Sequence, residues 1–239
     1  MNALIERRPN VLLERNESLL YVAKILGRIY TQSLYAVVYK NLDALQKLGD
    51  RGFFVLANHL SFEDIILEYL LIKDSLGKSC RTIMRDSLPG MFLLRRLGGL
   101  PMPRTQEYRK RSQKAKTETW REEVKSEYLA AKKELFEAEK ELMHQKQVIV
   151  IHPEGTRKKI DRPLTIRLSL EHIINLQEEL GLNIPCVALN IYYEAGVKYL
   201  PPLGVRPKVI LTVTDPIEVQ RQELDKLVGY FMRYAVRKP

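Results

Sequence analysis

A chain of 239 residues with 45% hydrophobic and 28% charged residues has the make-up of a globular protein with one medium-sized core. A chain of that length buries roughly 70–75% of its unfolded surface, so the fold needs neither disulfide staples nor a structural metal. The 39 Lys and Arg against 29 Asp and Glu leave a formal charge of +10, which suits anionic partners: nucleic acid, anionic lipid headgroups, phosphorylated substrates or thioester carriers.

Residues 1–9 lack the apolar core and small-residue cleavage site of a signal peptide. No run of about 18 uninterrupted apolar residues marks a membrane-spanning helix. The nearest, Leu19 to Tyr39, is interrupted by Lys24, Arg28 and Thr31-Gln32-Ser33. It reads equally as a helix packed on the core or as an interfacial helix with tyrosines and basic residues at headgroup depth. Residues 18–47 as a whole are predicted helical. Phe53 to Ala57 then forms a buried strand after Gly52, and Ser61 is the predicted N-cap of a helix, with Asp64 at the capping-box position. Asn58 and His59 therefore fall on a strand-to-helix turn, where α/β proteins place chemistry.

Residues 105–146 form the most helical stretch, with Trp120, Val124, Tyr128, Ala131, Leu135, Ala138 and Leu142 on one apolar stripe. Its basic start, Arg109, Lys110, Arg111, Lys114 and Lys116, is either a solvated face or a patch for a membrane or carrier. Val148 to Ile151 is a second buried strand, ending in the turn His152-Pro153-Glu154-Gly155-Thr156-Arg157. A helix near 165–180 stops at Gly181, and strands follow at Ile184 to Ile191 and Val209 to Val213 before an Asp215-Pro216 turn. Alternating strands and helices predict an α/β fold: a mixed, largely parallel sheet flanked by helices, with an N-terminal helical segment for membrane docking. Cys80 and Cys186 stand apart beside apolar residues and read as reduced packing residues of a cytosolic protein.

Two groups of residues can carry chemistry. His59 has an ordinary pKa near neutrality and serves as a general base, while Asp64, five positions on, fixes its tautomer and stabilises the imidazolium. Asp64 reads alternatively as an acid favoured by the N-terminus of a helix. The turn Glu154-Gly155-Thr156-Arg157, and the Gly98-Gly99 stretch that closes on Arg104, supply an Arg and pliant backbone amides for a phosphate or carboxylate. Each reads alternatively as an ordinary turn with a surface Arg. Gly77-Lys78-Ser79 lacks the glycine that a phosphate loop needs, and no Gly-x-Ser-x-Gly or Gly-x-Gly-x-x-Gly motif occurs. His144 and His172 read as structural or surface residues. His59, His152, Asp64 and Glu154 have no pairwise metal-ligand spacing.

Taken in order, four blocks resemble the glycerolipid acyltransferase family, which includes 1-acylglycerol-3-phosphate acyltransferases. Asn58-His59-Leu60-Ser61-Phe62-Glu63-Asp64 resembles its Asn-His-x-Ser-x-x-Asp block. Arg85 through Gly99 to Arg104 resembles its second block, His152 to Arg157 its Phe-Pro-Glu-Gly-Thr-Arg block, and Ile184 to Ala188 its apolar fourth. The likeness runs from about residue 40 to 218. The resemblance implies catalysis by His59 and Asp64, with acceptor binding by Arg85, Gly99, Arg104, Glu154, Gly155, Thr156 and Arg157. It further implies residues 1–48 as the N-terminal helical segment and 49–239 as the acyltransferase domain. No cofactor is implied beyond the thioester co-substrate, acyl-CoA or acyl carrier protein. The resemblance also implies as partners a phosphate-bearing lipid acceptor and an anionic membrane surface, with the protein cytoplasmic and peripheral on the inner face. A non-catalytic lipid-binding protein of the same fold is the alternative, and a nucleic-acid partner rests on charge alone. The chain departs from the pattern at His152 in place of Phe, at Pro103 before Arg104, in a missing Lys-Lys-Gly element, and in a longer helix between the second and third blocks.

Overall fold

A computed structural model describes residues 15–154, 163–196, 205–218, 220 and 223–234. Its strands are β1 (Ala36–Lys40), β2 (Phe53–Ala57), β3 (Cys80–Arg85), β4 (Gly99–Met102), β5 (Val148–Ile151), β6 (Cys186–Tyr193) and β7 (Lys208–Val213). Its helices are α1 (Glu17–Leu34), α2 (Asp43–Gln46), α3 (Glu63–Leu76), α4 (Met91–Arg96), α5 (Thr105–Lys114), α6 (Glu118–His144), α7 (Pro163–Leu180) and α8 (Leu224–Tyr234).

The seven strands form one sheet in the order β1-β7-β6-β2-β5-β3-β4. The five from β6 to β4 run parallel; β7 is antiparallel to β6, and β1 is parallel to β7. This is the mixed, largely parallel sheet that the sequence predicts. Central strands of such sheets are covered on both faces and so read as continuous apolar runs. Every residue of Phe-Phe-Val-Leu-Ala in β2 and Val-Ile-Val-Ile in β5 is buried. Their alternate side chains feed two cores. Phe53, Val55, Val148 and Val150 meet Leu67 and Leu71 of α3 on one face; Phe54, Leu56, Ile149 and Ile151 meet residues of α6, α7 and α8 on the other.

Several boundaries differ from the sequence reading. The helix expected over 18–47 ends at Leu34, and β1 follows as an edge strand of the same sheet, so the sheet begins before the boundary drawn at residue 48. The helix expected over 105–146 is a pair. Thr117 caps α6 by accepting the Trp120 amide, which breaks the helix, and α5 folds back so that Tyr108 stacks on Tyr128 with ring centroids 4.7 Å apart. Ser61 is not an N-cap, because α3 starts at Glu63 after Phe62, which has no capping side chain. Strands β3 and β4 lie in segments the sequence left unassigned. Cys80 and Cys186 are free and buried, and burial pushes both thiols up to about 12.

Gly99 opens β4 where the backbone of α4 crosses it. A Cβ there would stand 2.9 Å from the Met84 sulfur and 3.0 Å from the Leu94 carbonyl oxygen, and the carbonyl cannot swing aside as a side-chain tip can. Gly99→Ala is accordingly expected to destabilise the protein by about 1–3 kcal/mol. A lower midpoint in chemical denaturation checks this, and an unchanged midpoint would show that the close approach carries no weight.

Candidate active site

The sheet's parallel strands end on one edge, and the chemically interesting residues lie there. His59 follows β2, His152 and Glu154 follow β5, Arg85 ends β3 and Arg104 follows β4. Ligands bind along this carboxyl edge in open α/β sheets because loops and helix N-termini converge on it.

The turn after β2 is pinned from three directions. Asn58 is buried and grips β6 at both ends of its amide, donating to the Ile191 carbonyl at 2.9 Å and accepting the Ile191 N–H at 2.7 Å. Asp64, fully buried in the first turn of α3, closes the loop from the other side. Its Oδ2 accepts the amides of Leu60 and Ser61 at 2.6 and 2.7 Å, and its Oδ1 accepts the Tyr193 hydroxyl at 2.7 Å. His59 Nδ1 lies 3.3 Å from the same Oδ2. A carboxylate is acceptor-only, so this contact places the proton on Nδ1 and leaves Nε2, on the far side of the ring, as the basic nitrogen. The His59 side chain keeps 15% exposure, enough for substrate to reach it.

Glu154 accepts the backbone N–H of His59 from the β5 side. It is 3% exposed, and its desolvation, with Asp64 nearby, raises its carboxyl to about 7. His152 Nε2 lies 2.8 Å from Glu68 Oε1, and the His152 ring sits 4.3 Å from that of His59, centroid to centroid. The structure thus brings His59, Asp64 and Glu154 together and adds three residues that the sequence reading did not assign to the site: Tyr193, Glu68 and His152. Tyr193 is distant in sequence and left no local signal. Glu68 did leave one, since a carboxylate one turn after Asp64 interrupts an otherwise apolar helix face.

Arg85 is exposed and Arg104 half-buried at the same edge, two and three strands from β2, roughly 10–15 Å across the sheet at ordinary strand spacing. Gly99 is not at this edge; it lies buried at the opposite end of β4. Gly155, Thr156 and Arg157 fall outside the described residues. Among the described residues no group of His, Cys, Asp and Glu is arranged to hold a metal ion.

The family model for acyltransferases matches residues 36–189, from the first strand of the sheet into β6. No curated protein sequence matches the chain. Among solved structures, the crystal structure of the 1-acyl-sn-glycerophosphate (LPA) acyltransferase PlsC from Thermotoga maritima is similar. Its TM-score is 0.55 and its identity 19%, over 96% of this chain and 87% of that one. At that identity the likeness establishes the common fold.

The raised Glu154 carboxyl has a signed consequence for stability. The folded protein keeps the proton up to about 7, whereas the unfolded chain releases it near the ordinary 4.5. Stability from this group is therefore present in acid and is lost as pH rises towards about 7. Glu154→Gln removes the loss. Between about pH 5 and pH 8 the wild type should fall relative to the variant by on the order of 3 kcal/mol. Parallel stability–pH curves in urea would contradict it.

Proposed function

The chain belongs to the acyltransferase family, and from that membership we propose that it is an O-acyltransferase that moves a fatty acyl group from an acyl thioester onto a hydroxyl of lysophosphatidic acid. The observation that carries the reading is the His59–Asp64 contact at the carboxyl edge of the sheet. Nε2 of His59 takes the proton of the acceptor hydroxyl as that oxygen attacks the thioester carbonyl. Asp64 holds the ring and stabilises the imidazolium, which then protonates the departing thiolate. Among the described residues no Ser or Cys stands in the position of a nucleophile beside His59: both cysteines are buried and held neutral, and the Ser61 hydroxyl contacts Glu63. Direct transfer follows, without an acyl-enzyme.

Arg104 and Arg85 are the basic residues to receive the acceptor's phosphate, and the exposed basic face of α5 begins just past them. Glycerol-3-phosphate is the alternative acceptor for the same groups. A membrane surface suits the outward face of α1, which presents Tyr21, Val22, Ile25, Leu26, Ile29 and Tyr30, with Leu26 60% exposed. That face adjoins the catalytic turn, because Tyr30 donates to Glu63 at 3.2 Å and Gly27 packs against Ile66. Among the described residues no helix is long and apolar enough to cross a membrane, so the reading is one of docking.

Thiol release from palmitoyl-CoA, measured with lysophosphatidic acid, with glycerol-3-phosphate and with no acceptor, tests the reaction. Release that requires lysophosphatidic acid and falls about 10²–10⁴-fold in His59→Ala is expected. Acceptor-independent release, or near-normal rates in the variant, would sink it. For the membrane face, Leu26→Glu/Ile29→Glu is expected to abolish co-flotation with anionic liposomes, and undiminished flotation would remove α1 from the account.

A further inference from the structure

In a strand buried on both faces, the position after Val148 and Val150 on the α3 side calls for an apolar side chain, and here it is His152. Its side chain is 8% exposed. Opposite it, α3 places Asp64, Leu67, Glu68 and Leu71 on one buried face, so Glu68 stands one helical turn beyond Asp64 and reaches His152. Glu68 is fully buried, and its Oε2 has no hydrogen-bond partner among the described residues. Packing alone does not account for such a pair, because two well-packed apolar residues would fill the space without the desolvation cost.

Four groups face the His152 ring. Glu68 and Asp64 come from α3, Glu154 from the turn beyond β5, and the His59 ring from the turn after β2. The Cys80 thiol of β3, near Glu68, stays neutral. Burial alone would lower His152, but Glu68, Asp64 and Glu154 outweigh it and hold the imidazole above its ordinary value; burial raises the Glu68 carboxyl too, and the 2.8 Å contact lets the pair hold its shared proton on His152. The Asp64 carboxylate, 3.3 Å from Nδ1, also presses on His59, and unopposed it favours the protonated form, which cannot act as a base.

We propose that His152, anchored by Glu68, is a positioning residue for the transfer reaction: its imidazolium packs against the His59 ring, fixes the plane of that ring and opposes the pull of Asp64, so that His59 remains unprotonated and ready to accept the acceptor's proton. The proposal rests on the acyl-transfer reading for its catalytic meaning. The electrostatic coupling between the two rings stands apart from that reading.

Two variants separate charge from packing. His152→Phe keeps a planar ring, while Glu68→Gln keeps the size and a hydrogen bond but removes the charge that holds the proton on His152. The acid limb of the pH dependence of kcat/KM reports the free enzyme's base. In both variants it should move upward by about one pH unit, with roughly tenfold less activity on the acid side of the wild-type limb. NMR titration of the histidine side chains in the resting protein reads the same displacement at His59 without turnover. A protein that transfers no acyl group therefore still tests the coupling. Glu68→Gln is the variant that decides if His152→Phe does not fold. An acid limb or a His59 titration midpoint that stays at the wild-type value, or moves downward, in folded Glu68→Gln overturns the proposal.

Discussion

One buried carboxylate organises this site. Asp64 is fully enclosed, and its two oxygens take the amides of Leu60 and Ser61, the Tyr193 hydroxyl and Nδ1 of His59. An unpaired carboxylate at that depth would be prohibitive; a carboxylate with four donors and a helix N-terminus behind it is not. The same bonds that satisfy the charge also set the path of the strand-to-helix turn and tie it to β6 through Tyr193. The placement of the His59 ring is thus a by-product of solving a burial problem.

The sheet supplies the rest of the positioning. Because β2 and β5 are adjacent and parallel, with Leu56 beside Ile151, the residues that follow each strand emerge side by side. His59, His152 and Glu154 meet for that reason. The residues toward β3 and β4 are spread along the same edge, and under the proposed reading the span from His59 to Arg104 suits an acceptor whose hydroxyl and phosphate are several bonds apart. Rigid strands hold the His59 end of the edge, and the exposed apolar face of α1, proposed above to dock on a membrane, lies beside the turn after β2.

How much of this was legible depends on sequence distance. His59 and Asp64 are five residues apart, and the strands around them are uninterrupted apolar runs, so local reading finds both. From sequence, β1 reads as part of the preceding helix because nothing between Leu34 and Ala36 punctuates the chain except Tyr35, whose extended backbone ends the helix without a Gly or Pro. β4 contains Pro101, which argues against a strand except at a sheet edge, where β4 lies. Tyr193 reaches Asp64 across 129 positions, and His152 finds Glu68 across 84; no periodicity or spacing rule spans such gaps. His152 was visible as a departure from the family pattern, but its meaning required the carboxylate on the facing helix.

The account turns on Asp64 acting through its charge as well as its shape, and Asp64→Asn separates the two. The amide retains an oxygen for the Leu60 and Ser61 amides and offers a donor to the Tyr193 oxygen, so the fold should persist. It cannot stabilise an imidazolium as a carboxylate does. Steady-state kinetics of acyl transfer by this variant, with denaturation midpoints measured alongside, is the most direct measurement. A loss of about 10²–10⁴-fold in kcat, with KM for the acceptor and the midpoint close to wild type, is the predicted result. A kcat within a few-fold of wild type in a folded Asp64→Asn protein would contradict the account.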